Sequence, residues 1–428
     1  MRSIAILSLI VPALPAAGLD TSARSSGPDH ILIRIRIDLD TQRCASLCLR
    51  LSDGRQTWSA DTWLKANPDI DLVARRDSIE RVDVRTGRRL WSAKQKVTID
   101  EFILWPDAQC FSTKDIVLLP DRDGTLTALN AATGATAWVV TLPDESSVEL
   151  VDGGMTFVRV PGGVITCLSN ATGATRWSAT TKLDGPALTR IGRDLIATSC
   201  NTGPVVSLDP ASGAVRWSTD IRHPASDSQA HGGRFLVTGA AAITCLDLAT
   251  GAIEWSLDGE SLRCQGSVDG RVFLFDRANG RVVCVDEQTG IERWSAGIPG
   301  AENHAVHIQA GLIMATGSES TPLIAIDIAT GKRAWEYAEA RAYACLPASR
   351  HDAIFLVNRD RNLVKINLPS GAVAWVRHFD DEPKRIWPIG DRLVIMTKSE
   401  IARISPATGE TIWSQARPEY FYADAEGR

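Results

Sequence analysis

Short apolar runs recur along the chain, and each is followed by the same polar punctuation. Leu126-Thr127-Ala128-Leu129, Ile243-Thr244-Cys245-Leu246 and Val282-Val283-Cys284-Val285 carry apolar or small residues at nearly every position. A strand with one solvated face alternates apolar and polar residues, so near-continuous apolarity predicts a strand covered on both faces. Each run ends on an aliphatic residue: Val82, Leu129, Leu168, Leu208, Leu246, Val285, Ile326, Ile366 and Ile404. A short polar residue follows (Asp83, Asn130, Ser169, Asp209, Asp247, Asp286, Asp327, Asn367, Ser405), then Thr or Ser immediately before a glycine. A tryptophan stands four residues past that glycine. The polar side chain suits a turn backbone, and the glycine suits a positive φ. The unit reads as strand, tight turn, strand, with the tryptophan on the outgoing strand.

The unit repeats. Gly-x-x-x-Trp ends at Trp91, Trp138, Trp177, Trp217, Trp255, Trp294, Trp335, Trp375 and Trp413, with spacings of 47, 39, 40, 38, 39, 41, 40 and 38 residues. A weaker copy, Gly54–Trp58, lies 33 residues before Trp91. A period near 40 marks a solenoid, a propeller or an array. A second apolar strand precedes each unit, as in Arg271-Val-Phe-Leu-Phe and Arg392-Leu-Val-Ile-Met. About 40 residues therefore hold four short strands, and no sustained 3.6-residue period supports helical repeats. The fold class is all-β: four-stranded antiparallel blades of a β-propeller. The nine tryptophans are expected to dock between adjacent blades, and the small residues Ala128, Cys167, Ser207, Cys245, Cys284 and Ala325 recur at one strand position, where a neighbouring sheet approaches.

The pattern Leu-Asp-x-x-Thr-Gly-x-x-x-Trp, clear at Leu208-Asp209…Gly213…Trp217 and Ile326-Asp327…Gly331…Trp335, resembles the repeat of quinoprotein-type, or PQQ-like, β-propellers. That family includes redox enzymes that bind pyrroloquinoline quinone. It also includes non-enzymatic propellers such as the lipoprotein scaffold of the bacterial outer-membrane β-barrel assembly machinery, which this chain is closest to in character. The resemblance implies eight blades, with nine as the alternative because the unit ending at Trp91 carries strands of its own. Residues 70–428 are read as the propeller and 31–69 as an N-terminal β segment with a part in closing it. The tail Glu419-Tyr-Phe-Tyr-Ala423 is the other closing candidate.

Quinoprotein dehydrogenases of this family typically offer adjacent cysteines, calcium and a catalytic Asp. No two of the nine cysteines here are adjacent. Cys48, Cys167, Cys245 and Cys284 share the small-residue position and read as buried thiols. Asp121-Arg-Asp-Gly124 falls where a hairpin turn belongs, and a calcium loop is the lesser reading. His304 and His307 face opposite sides of a strand. Pyrroloquinoline quinone and calcium are thus not supported, and no catalytic, cofactor or metal residue is assigned.

Composition adds boundaries. The 428 residues carry a net charge of −5, against a phosphate-neutralising nucleic-acid binder. No apolar run approaches the ~20 residues of a membrane helix. Residues 1–18 resemble a signal peptide and 19–30 a linker, so export or the cell envelope is the expected location; the odd cysteine count keeps a cytoplasmic alternative open. The reading is a non-enzymatic scaffold for a protein or peptide partner. A ligand-binding or sensor propeller and a quinone-dependent oxidoreductase are its alternatives. Trp63, Trp105 and Trp387 fall outside the repeat. The connection Phe379–Trp387 joins three acids, a proline, two bases and a tryptophan, which makes Arg385 and Trp387 the candidate interaction residues. The cluster Arg81, Arg85, Arg88 and Arg89 reads as a solvated turn and edge, with an anionic partner as the alternative.

Overall fold

The computed structural model describes residues 21–25, 29–36, 44–60, 64–66, 71–75, 78–95, 111–298, 305–316, 321–340 and 348–417, apart from positions 84, 122, 202, 351 and 390. Among them there is no helix. Their strands form ten four-stranded antiparallel sheets, each of four consecutive strands: 21–60, 64–93, 111–141, 147–180, 186–220, 227–258, 262–297, 305–337, 348–377 and 385–416. The tryptophan intervals led to eight, or nine. Ten sheets stand because the weak copy at Gly54–Trp58 also ends a complete sheet. In that copy Arg50 replaces the turn's short polar residue and Asp53 its Thr or Ser. The Arg50 Nε–Asp53 Oδ1 bond of 2.8 Å ties the turn instead, and Asp53 also accepts the Arg55 N–H at 3.1 Å.

Burial follows position in the sheet. Second and third strands are covered on both faces, as in Asp194–Ser199, Ala242–Asp247 and Ala353–Val357. Fourth strands are edges. Val215–Asp220 and Ile253–Asp258 bury the tryptophan and expose the residues beside it. This is why apolar residues fill the third strand but not the fourth.

The turn between them is tied by one acid. Asp209 Oδ1 accepts the N–H groups of Ala211 at 2.9 Å and Ser212 at 3.0 Å, and the Asp209 carbonyl accepts the Gly213 N–H at 2.8 Å. The pairing then slips by one residue between Ser207 and Leu208, a β-bulge that sets Trp217 directly opposite Ser207. The same slip sets Cys48 opposite Trp58, Ala128 opposite Trp138, Cys167 opposite Trp177, Cys245 opposite Trp255, Cys284 opposite Trp294 and Ala325 opposite Trp335. The recurring small residue therefore makes room for the indole across the ladder.

The described residues fall into two compact units. One holds sheets one to five with Glu400–Arg403 and the strand residues from Ile412; the other holds Ile221–Ser399 with Ile404–Thr411. In the first, Phe157, Ile165, Cys167 and Trp177 of the fourth sheet share a core with Leu195, Ala197, Val206 and Leu208 of the fifth. In the second, Leu236, Ile243, Cys245 and Trp255 of the sixth sheet pack on Val272, Leu274, Val283 and Val285 of the seventh. Each buried aliphatic or aromatic side chain contributes about 1.5–3 kcal/mol.

Candidate functional site

The repeated tryptophans make the same contact within each unit. In the first, the indole N–H of Trp91 donates to the Ala131 carbonyl at 2.8 Å, Trp138 to Asn170 at 2.8 Å and Trp177 to Pro210 at 2.9 Å. In the second, Trp255 donates to Glu287 at 3.0 Å, Trp294 to Ile328 at 3.2 Å, Trp335 to Pro369 at 2.8 Å and Trp375 to Pro406 at 3.2 Å. Every acceptor lies in the turn of the next sheet. The turn glycine is the seat: a Cβ on Gly213 would stand 2.5 Å from the Trp177 ring. Its φ of +73° is a second, independent reason for glycine. The sequence exposed only the φ requirement, since the indole on the glycine belongs to another repeat.

Two arginines join this contact without a signal in the motif. Arg81 occupies the position opposite Trp91, where seven other sheets place a small residue and one places Lys365, and its Nη1 donates to the same Ala131 carbonyl at 2.9 Å. Arg403 Nη1 likewise reaches the Leu51 carbonyl that accepts Trp413. The register of the small-residue position was the available clue, because an arginine there stands opposite the indole and is long enough to reach the same carbonyl.

Arg385 and Trp387 stand on a strand rather than in a connection. They lie on Arg385–Ile389, the first strand of the tenth sheet, and the preceding connection ends at Lys384. Two residues apart, they share one face of that strand. Arg385 pairs opposite Met396 and Trp387 opposite Val394, while Ile386 is buried on the other face. Both are half-buried, and Arg385 Nη1 donates to the Lys384 carbonyl at 3.0 Å. Lys384 is exposed and its Nζ pairs with Glu382 at 2.7 Å. The arrangement offers an aromatic ring beside a guanidinium at a sheet edge, which suits contact with a carboxylate or peptide group. Trp63, Trp105 and His304 lie outside the described residues.

The other candidates are structural. Asp121–Gly124 is the hairpin turn between Ile116–Pro120 and Thr125–Asn130, with Asp123 Oδ1 accepting the Thr125 N–H at 3.0 Å. Burial pushes the Cys167 and Cys284 thiols up to about 11 and the Cys245 thiol up to about 12. They stand in separate sheets, each opposite its own tryptophan. Among the described residues no three His, Cys, Asp or Glu side chains converge in a metal-holding group, and no helix is long and apolar enough to cross a membrane.

No curated protein sequence matches the chain significantly. Solved structures resembling it include BamB from Moraxella catarrhalis, 20% identical over 68% of this chain and 90% of that one, with a TM-score of 0.40. The computationally designed Ika8 protein is 16% identical over 74% of this chain and 95% of that one, with a TM-score of 0.41. The dihydro-heme d1 dehydrogenase NirN in complex with DHE is 11% identical over 70% of this chain and 72% of that one, with a TM-score of 0.40. The family model described as outer membrane protein assembly factor BamB matches residues 75–235 and 229–415. With most of its length covered by that PQQ-like repeat model, the chain belongs to the outer membrane protein assembly factor BamB family.

Proposed function

We propose that the protein is a non-enzymatic propeller scaffold of the cell envelope that holds a protein or peptide partner, with Arg385 and Trp387 in the contact. Each four-stranded sheet is one blade in this reading, and the tryptophans lock one blade to the next. The family match over residues 75–415 carries the proposal. The repeat residues support it: the buried indoles, turn acids and glycines are committed to contacts inside the array, so function falls to edges and loops. The scaffold needs neither pyrroloquinoline quinone nor calcium. Its cysteines offer no adjacent pair, and the described buried thiols that face tryptophans stand in different sheets.

The test places a photo-crosslinking residue at Trp387 and, in a second protein, at the exposed Val139. The scaffold reading predicts one discrete crosslinked partner from Trp387 and none from Val139. Identical crosslinking patterns from the two positions would remove Trp387 from the contact.

A further inference from the structure

We propose that the turn and outer edge of the second sheet form a docking surface for an acidic, extended segment of a protein partner. The fourth strand of that sheet, Arg89–Ala93, ends the strand order, so one row of its backbone N–H and C=O groups faces no strand of its own sheet. Arg85, Arg88 and Arg89 are exposed around it, and Leu90 is 43% exposed between Arg89 and the buried Trp91. Such an edge accepts an added strand, with main-chain bonds for affinity and alternate side chains for selectivity.

The charges select the occupant. Arg81 is committed to the Ala131 carbonyl, and Arg89 stands 3.4 Å from Glu80. Among the described residues the guanidinium groups of Arg85 and Arg88 make no hydrogen bond or salt bridge, although the Asp83 carboxylate is close enough to feel the Arg85 charge. The nearby Asp83 carboxylate accepts the backbone N–H groups of Arg85 at 2.9 Å and Thr86 at 3.0 Å. Arg55, on the first sheet, is a further exposed cation with no acid partner among the described residues, and the Trp58 ring of that sheet lies against Gly87 of this turn. On two other sheets the fourth-strand arginine is neutralised in place: Arg216 pairs with Asp209 at 2.5 Å, and Arg293 with Asp286, whereas the exposed Arg176 of the fourth sheet has no such acid partner among the described residues. The turn and edge of the second sheet thus gather three exposed arginines, Arg85, Arg88 and Arg89, on a protein whose net charge is −5. Like charges repel a second copy of this edge, whereas an acidic strand meets the arginines and covers Leu90.

The probe is a short fluorescent peptide of alternating Glu and Val, with its Lys-Val counterpart and phosphatidylglycerol vesicles as comparisons, against the full chain. The Glu-Val peptide is expected to bind and to weaken as salt is raised. The double substitution Arg85→Glu with Arg88→Glu is expected to weaken it about tenfold or more, Arg85→Gln with Arg88→Gln by less, and Leu90→Ser measurably. Arg222→Glu, an exposed change elsewhere, leaves binding unchanged, and an unaltered thermal midpoint shows that the variants fold. Absence of Glu-Val binding, equal binding of the Lys-Val peptide, or insensitivity to the double reversal overturns the proposal. Binding to the vesicles without binding to the peptide also overturns it, in favour of a lipid surface. None of these outcomes touches Arg385 or Trp387, so the scaffold proposal is tested separately.

Discussion

The indole N–H of Trp413 donates to the carbonyl of Leu51 at 2.8 Å across 362 residues of sequence, and Gly54 lies directly under its ring. The other tryptophans with this bond reach forward to the next repeat, whereas Trp413 reaches back to the first. Arg403 doubles the contact at 2.9 Å. Replacing Trp413 by Ala is expected to cost about 3–5 kcal/mol, the range for truncating a buried aromatic. Trp413→Phe keeps an aromatic ring but loses the N–H bond, worth about 1 kcal/mol, and some indole packing. Denaturant titration measures both. Hydrogen exchange at Leu51 and Gly54 is expected to accelerate in the Ala variant. A negligible loss would show that this contact does not hold the first and last repeats together.

Two glycines of nearly equal φ separate backbone strain from packing. Gly213 has φ +73° and a Cβ there meets the Trp177 ring at 2.5 Å, whereas Gly154 has φ +76° with nothing within 4 Å. Gly154→Ala is expected to cost about 1–2 kcal/mol from the left-handed conformation alone. Gly213→Ala carries the same strain and must also displace an indole, adding about 1–3 kcal/mol of overpacking. Equal midpoints for the two variants in a thermal melt would remove the indole seat from the account.

Acid is expected to weaken the turns. The Ser212 N–H holds the Asp209 carboxyl below its ordinary value, the Thr250 hydroxyl does so for Asp247, the Thr330 hydroxyl for Asp327, and Arg293 for Asp286. A depressed folded pKa means that the folded protein binds fewer protons than the unfolded chain between the two values. The stabilisation is therefore complete above the unfolded carboxylate value of about 4 and is lost as pH falls through the folded values. The thermal midpoint should be flat from neutrality to about pH 5 and fall below about pH 4. Changing the four acids to Asn should flatten that acid limb; an unchanged limb would assign it to other groups.

The turn and its tryptophan were legible in the sequence because both sit in one contiguous motif. The first sheet showed only as the weak copy Gly54–Trp58 and a β segment over 31–69, since Arg50 and Asp53 replace the expected Asp and Thr with an ion pair that composes the same turn from different residues. The reason for the small residue stayed hidden. Ser207 is opposite Trp217 only because a bulge shifts the register, and a bulge leaves no mark in the apolar pattern. Trp387 looked like a connection residue because charges and a proline precede it; the strand begins at Arg385, immediately after that polar run.

Thiol reactivity should sort by burial. Cys245 and Cys264 are buried, with thiols pushed up to about 12 and about 11 by desolvation, whereas Cys200 is exposed. The thiolate is the reactive form, so brief alkylation of the native protein is expected to label Cys200 well ahead of both. Peptide mass spectrometry reads the order. Labelling of Cys245 as fast as Cys200 would contradict the packing of the sixth sheet.

The proposed scaffold holds its partner at the edge carrying Arg385 and Trp387. The most direct measurement of this contact is recovery of the crosslinked partner by the purified protein, compared between the unaltered chain and the double variant Arg385→Ala with Trp387→Ala. Recovery should fall about tenfold or more, the scale of losing two anchor residues, while the thermal midpoint moves by only a few degrees. Full recovery with an unchanged midpoint would contradict the claim, and a collapsed midpoint would make Trp387 part of the core rather than of the contact.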